Sequence, residues 1–394
     1  MIIKFINATI LTDGDSDVFK GEVVVDNNII KYVGDKYEGD FDDVIDCNNN
    51  ILMPGFINCH AHSPMTLLKG VGEGCSLEDW LFKHIIPLEK TLTKQDIYNG
   101  TKLAVQEFLK NGITCFQDSY FYPEVTAQVC QEMGIRAVIS LSQGYSQTKF
   151  LTEKQLENLY LKLKDKYNLV KFNFYFHSTY TCDEKQILSA IKLAKKYNTF
   201  VGTHASETLT EVGNCTAKNN GKTPIMLLEN LGFFDVDNLI AHCVVLEKED
   251  LVILNKYKVN IVHNPASNLK LGSGIANLKA MEQNGVNICL GTDGSASNNR
   301  LDMFREMYLA SVLQKALFND ATLFTPQKVL NMATKNGAKA LGYDNLGQIK
   351  QGYLADLILI ENTAQNCIKS EIVYANGAEN VLLTMVNGNI VYKK

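Results

Sequence analysis

From about residue 54 onward the chain repeats one rhythm: a short apolar run, a loop, then a longer segment whose apolar residues recur at helical spacing. The strand-like runs read GFINCHAH, GITCFQD, GIRAVIS, VKFNFYFH, TFVGTHAS, DNLIAHC, VNIVHNP and VNICLGTD, and helical stretches such as Ile97 to Lys110 and Glu184 to Lys196 separate them. Alternation of this kind predicts βα units around a parallel sheet. Eight such units is the count of a (β/α)8 TIM barrel, so the fold class expected is α/β.

The histidines sort onto that pattern. Of seven, six (His60, His62, His177, His204, His242 and His263) stand at the C-terminal ends of the apolar runs, and only His84 lies elsewhere. Barrels of this type build their active sites at those strand ends. His60 and His62 are alternate residues of a strand, so they share a face, with Cα atoms roughly 7 Å apart. An isolated pair of this kind is more often a hydrogen-bonded interior group beside a solvated strand end. Six histidines gathered at one end of a barrel favour a metal site instead, and imidazole suits zinc or iron. Cys59, between the two histidines and the strand, is turned away by alternation and reads as packing. Asp293, in GTDG, would alone be a turn residue or helix cap; beside the histidines it becomes a carboxylate ligand or base. Glu207, three residues after His204, would by default be a solvated charge. At a ligand-bearing strand end it is a candidate proton shuttle.

Composition narrows the ligand. With 394 residues, 46% apolar and 21% charged, the chain is ordinary globular material and long enough for a barrel plus a small added domain. A formal charge of -5 offers no basic field for a nucleic-acid polymer. Of 38 basic residues only Arg136, Arg300 and Arg305 are arginine, which limits bidentate capture of an anionic ligand. The ten cysteines include no CxxC pair, as expected for reduced structural thiols. No signal peptide or membrane-length apolar run is visible, so a cytoplasmic location without membrane association is expected.

The stretches PGFINCHAHSPMTLLKG, FHSTYTCDE, HASETLTEV, AHC, HNPASNLKLGSGIA and GTDGSASNNRLDMFREM resemble the amidohydrolase superfamily, and within it the 5-methylthioadenosine/S-adenosylhomocysteine deaminase branch. The flanks fit as well, through LGQIKQGYLADLILIE. The resemblance implies a distorted (β/α)8 barrel over residues 54–343 and a small β-sandwich assembled from residues 1–53 and 344–394. It implies one divalent metal, zinc before iron, held by His60, His62, His204 and Asp293. His177 stands where two-metal relatives often carry a carbamylated lysine. It further implies that His242 and Asp293 manage the protons of water, that Glu207 protonates ring nitrogen N1, and that Glu89 holds ribose hydroxyls. His177 becomes a substrate contact and Trp80 a pocket wall, although a core hydrogen bond and simple packing are fair alternatives for these two. His263 and the segment Asn264 to Lys270 read mainly as structural. Members of the family are often homo-oligomers, and no stretch here marks an interface.

The implied reaction converts an adenosine-type nucleoside (adenosine, 5'-methylthioadenosine, 5'-deoxyadenosine or S-adenosylhomocysteine) into its inosine analogue and ammonia. Relatives that accept S-adenosylhomocysteine usually carry an arginine just after the third barrel strand, where this chain aligns Leu141. Lys149 and Lys154 are looser carboxylate partners. The expectation therefore shifts toward small, uncharged 5' groups. A guanine- or triazine-type hydrolase of the same superfamily is the alternative, and a non-catalytic barrel that merely binds is a further one, opposed by the full set of expected ligands.

Overall fold

The computed structural model describes residues 1–145 and 150–394. Five strands lead in: β1 (Ile2–Ile10), β2 (Phe19–Asp26), β3 (Ile29–Gly34), β4 (Asp43–Asp46) and β5 (Ile51–Pro54). Eight parallel strands follow: β6 (Phe56–Ala61), β7 (Ile113–Ser119), β8 (Arg136–Ser142), β9 (Val170–Ser178), β10 (Val201–Ala205), β11 (Asn238–His242), β12 (Asn260–His263) and β13 (Asn287–Leu290). They neighbour one another in chain order, with helices between. Each of the eight apolar runs has become one barrel strand.

The ring closes at its C-terminal rim. Thr292 N–H donates to Asn58 Oδ1 (2.9 Å), Asn58 Nδ2 to Thr292 Oγ1 (2.7 Å), and Asp293 N–H to the His60 carbonyl (2.9 Å). Ile57, Cys59, Cys115, Val138, Leu239, Val262 and Cys289, drawn from six strands, pack with Leu341 and Tyr343 in one buried cluster. A cluster drawing on so many strands is the filling of the barrel, so the barrel is solid below its rim. Cys59 packs there, as alternation requires.

The helices begin where local chemistry starts them. Thr93 and Asp96 form a capping box on Lys94–Lys110, and Asp183 with Gln186 does the same for Glu184–Tyr197. Both boxes satisfy amide groups that the first helical turn leaves without partners. Both helices extend the stretches read from periodicity by a few residues or fewer.

The chain ends meet in a second sheet. After the barrel come β14 (Leu357–Ile360), β15 (Val381–Val386) and β16 (Asn389–Lys393), and the strand order is β16-β15-β14-β5-β1-β2-β3, with β4 on β1. Phe5, Ile10, Val23, Val25, Leu52, Leu357, Leu383 and Met385 form its core. Arg136, at the start of β8, fastens this sheet to the barrel: Nε and Nη2 donate to the two Asp356 oxygens at 2.8 and 3.0 Å, and Nη2 also reaches Asn387 Oδ1 at 3.1 Å. The pair is almost fully buried, with side chains 6% and 1% exposed. Among the described residues no helix is long and apolar enough to cross a membrane.

Removing one partner of a buried pair strands the other charge in a medium that cannot solvate it, at a cost of about 3–5 kcal/mol. Arg136→Met should therefore lower the thermal unfolding midpoint by several degrees. An unchanged midpoint in a calorimetric scan would show that the junction is not held by this pair.

Candidate active site

Three imidazoles and one carboxylate converge at the rim. His60 and His62 come from the end of β6, His204 from β10, and Asp293 from the turn after β13. The His204 Nε2 atom lies 3.1 Å from His60 Nε2 and 3.3 Å from His62 Nε2, and Asp293 Oδ1 lies 3.4 Å from Nε2 of both His60 and His62. His242 joins His60 and Asp293 in an overlapping group.

Tautomers decide what this cluster is. His62 Nδ1 is 2.7 Å from the Ser119 carbonyl, and His204 Nδ1 is 2.7 Å from the His177 carbonyl. A carbonyl only accepts, so both Nδ1 atoms carry the hydrogen and both Nε2 atoms present lone pairs. Those lone pairs face each other across 3.3 Å, with the Tyr175 hydroxyl 3.1 Å from His204 Nε2. Burial favours the neutral rings: it holds His60 down at about 4, despite the opposing pull of Asp293, and His204 well below the ordinary imidazole value. Such an arrangement calls for a cation. Donors about 2.0–2.1 Å from a tetrahedral ion stand roughly 3.3 Å apart, which is the spacing found, so the residues fit a divalent metal.

Asp293 is held ionised. Burial would raise it, but the facing His60, His62 and His242 keep it well below the usual carboxylate range. Its Oδ2 accepts from Ser267 Oγ (2.6 Å) and Ser297 Oγ (3.1 Å), and its Oδ1 from the Gly294 amide (2.7 Å). Glu207 is in the opposite state. Burial, reinforced by the nearby charge of Asp293, pushes it well above the ordinary glutamate value. Its Oε1 lies 3.6 Å from His242 Nδ1 and 3.4 Å from Ser273 Oγ. Two carboxyls in one site are thus driven apart, one toward the proton-holding form and one toward the anion.

The loops carrying these groups are bent sharply. Ser206 (φ 55°), His242 (φ 77°), Cys243 (φ 47°) and Asp293 (φ 59°) are all in the left-handed region without being glycine. Each such residue costs free energy, and this kind of backbone persists where surrounding structure enforces it, commonly at active sites.

A cavity of about 390 Å³ opens from the cluster. His62, His204, His242, Glu207 and Asp293 line one part of it, and Trp80, Glu89, Tyr145 and His177 another. Glu89 is 1% exposed rather than a surface charge. Its Oε2 accepts from the Tyr145 hydroxyl at 2.5 Å, and the buried Tyr120 hydroxyl is a second polar neighbour of the same carboxyl group. Burial raises its pKa, against the Tyr145 bond. His177 stacks on Tyr145 with ring centroids 4.1 Å apart and bonds Thr181 Oγ1 through Nδ1. Trp80 combines both roles offered for it: it walls the cavity, and it packs with Met65, Leu68 and Ile85 in a buried apolar cluster.

The amidohydrolase family profile matches residues 51–391, most of the chain. The chain belongs to the amidohydrolase family. It is 38% identical over 405 aligned positions to a 5-methylthioadenosine/S-adenosylhomocysteine deaminase of Acetivibrio thermocellus, covering 99% of this chain and 94% of that one. It is 37% identical to a 5'-deoxyadenosine deaminase of Methanosarcina mazei, covering 99% and 92%. Among solved structures it resembles an adenosine deaminase from Xanthomonas campestris with bound zinc, at a TM-score of 0.91 and 31% identity, covering 99% and 92%.

Three sequence expectations change in this amidohydrolase. Leu141 is fully buried in the main core, and the residue of that strand end lining the cavity is its neighbour Ser142, because alternate side chains face opposite ways. Lys154 is exposed and does not line the cavity, and Lys149 lies outside the described residues. The segment Asn264 to Lys270 does more than shape a rim. Ser267 grips Asp293, and Asn268 Oδ1 accepts from His242 Nδ1 at 2.8 Å. Lys270 reaches the Ala296 carbonyl and Asn299 Oδ1, and Ser273 just beyond touches Glu207. The signal available was the dense run of small polar residues in SNLKLGSG. His263, by contrast, touches none of the site groups through a ring hydrogen bond.

Orienting partners of a ligand typically cost 10- to 100-fold in metal affinity or activity when lost. Ser267→Ala should weaken metal retention by about that factor in a chelator competition with circular dichroism unchanged. Retention equal to the parent would mean that Ser297 and the Gly294 amide suffice to hold Asp293.

Proposed function

We propose that this chain is a hydrolytic deaminase of adenosine-type nucleosides, with a single zinc ion held by His60, His62, His204 and Asp293. The observation that carries the reading is the buried carboxyl of Glu89, lining the same cavity as the histidine cluster and Glu207. A buried carboxylate lining a purine-sized space suits the vicinal hydroxyls of a ribose. A free base such as guanine, or a triazine, lacks the vicinal hydroxyl pair that would match it.

A divalent ion in this donor set acts as a Lewis acid and lowers the pKa of water toward neutrality. The protein groups then divide the proton traffic. Glu207, whose pKa burial raises, gives its proton to N1 of the purine as water oxygen adds to C6. Asp293 and His242 take protons from that water, and His242 keeps its geometry through Asn268. The amino group leaves as ammonia after receiving a proton from this set. The carbonyl at C6 completes the inosine analogue. Water in and ammonia out balance the reaction without redox chemistry. His177 and Trp80 border the substrate, and Glu89 anchors its sugar. The histidine at the end of β9, in place of a bridging lysine, suits one ion rather than two.

Ammonia release and the accompanying ultraviolet change should appear when zinc-loaded protein meets adenosine, 5'-methylthioadenosine or 5'-deoxyadenosine, and not with guanine. Turnover of guanine alone would move the chain to a different reaction. Glu207→Gln should lose on the order of a hundredfold or more in kcat while keeping its metal, since general acid–base groups contribute on that scale. A near-normal rate would remove the shuttle role. Glu89→Ala should raise KM for adenosine more than it lowers kcat, because the sugar contact is shared by ground and transition states. An unchanged kcat/KM would leave the ribose without this partner.

A further inference from the structure

The cavity has an inner end and an outer one. The metal-binding groups and Glu89 are almost inaccessible, whereas Lys94 and Phe150, which line the same space, are 62% and 57% exposed and mark its mouth. Lys94 is the first residue of the helix Lys94–Lys110 and follows Glu89 by five residues. Its Nζ lies 2.7 Å from Glu124 Oε1, and Glu124 also lines the cavity. Among the described lining residues Lys94 is the only lysine or arginine. The three arginines are engaged elsewhere, Arg136 with Asp356, Arg300 with Asp302 and Arg305 with Asn298.

Resting on the deaminase reading, the geometry points to a second subsite: we propose that the Lys94–Glu124 pair receives the α-amino-acid end of a 5' substituent, so that a homocysteine tail is accepted. With C6 at the metal end and the ribose at Glu89, the 5' carbon is directed on toward the mouth. Phe121, Leu151 and Leu159 provide apolar wall along that path, suited to a thioether and methylene chain. At its end an α-amino acid carries one cation and one anion on neighbouring atoms, the mirror of the Lys94–Glu124 arrangement. Laid antiparallel, its carboxylate meets Lys94 and its ammonium meets Glu124, while the two side chains stay in contact. An ion pair at this exposure is worth little by itself, so rearranging it costs little. The Tyr122 ring, 5.3 Å from Nζ, gives the ammonium head a fixed neighbour.

The expectation shifts toward small, uncharged 5' groups because no arginine stands at Leu141; the Lys94–Glu124 pair supplies a charged partner from another part of the cavity. The subsite is tested by the ratio of kcat/KM for S-adenosylhomocysteine to that for 5'-deoxyadenosine. Lys94→Ala should lower the ratio about tenfold, the scale of a charge-assisted hydrogen bond, and Lys94→Arg should restore most of it. A substrate lacking the carboxyl group, 5'-(3-aminopropylthio)-5'-deoxyadenosine, supplies the cycle: on it Lys94→Ala should produce no comparable loss, and Glu124→Gln should. The proposal is overturned if the ratio is the same in Lys94→Ala and the parent, or if the loss is equal with and without the substrate carboxyl. Silence of the parent enzyme on 5'-deoxyadenosine as well would overturn the deaminase reading, and this subsite with it.

Discussion

One hydrogen bond, from the Asp293 amide to the His60 carbonyl, joins the last turn of the barrel to its first strand. The site depends on that closure. It sets the two residues side by side although they are far apart in sequence, and it places their side chains on one rim with His204 from the opposite stretch of the chain. Asn58 and Thr292 reinforce it directly below, through two reciprocal bonds in a fully buried position. A carboxylate and an imidazole held this way by backbone and buried amides have little freedom to spread apart. The charge problem they create is therefore solved by a cation and not by relaxation.

The same constraint explains the divided states of the two carboxyls. Asp293 is surrounded by three imidazoles and three hydrogen-bond donors, so its negative charge is stabilised in spite of burial. Glu207 lies beyond the first ring of groups, with only Ser273 and the edge of His242 near its oxygens. Burial then dominates, as it must for a group with few donors. Its neighbour Glu211 contributes by occupying the local amides: its carboxylate accepts the backbone N–H groups of Ser206 and Glu207 themselves. That anchors the strained turn at Ser206 and leaves the Glu207 side chain to face the cavity.

Barrel and rim were legible in the sequence because both rest on periodic, local signals. Apolar runs of strand length recurred eight times, and histidines fell at a fixed place within them. What was not legible depends on contacts across the barrel. Which of Leu141 and Ser142 faces the cavity turns on register, and a shift of one residue reverses the answer. That Asn268 holds His242 and Ser267 holds Asp293 follows from a short helix, Pro265–Lys270, lying between two strand ends, a proximity that no spacing within the segment encodes. The buried state of Glu89 was hidden for a similar reason. Its own stretch reads as an ordinary charged helix, and the groups that meet it, Tyr120 and Tyr145, come from loops more than thirty and fifty residues on.

Selectivity in this molecule then belongs to layers of different rigidity. The metal-binding groups sit on strand ends closed by backbone hydrogen bonds, which leaves the chemistry at C6 little room to vary. The proposed sugar contact, Glu89, rides on the segment after β6, where a π-helical turn, Trp80–Ile85, precedes it and brings Trp80 to the same wall. The mouth is made of side chains on helix starts, the exposed Lys94 and the half-buried Glu124, neither of them part of a core cluster. Relatives sharing the inner layers can therefore differ in the 5' group they take without any change in the reaction, because exposed ion pairs are the least costly contacts in the cavity to exchange. On the proposed subsite, small differences at that outer layer separate an enzyme for neutral 5' groups from one that also admits an amino-acid tail.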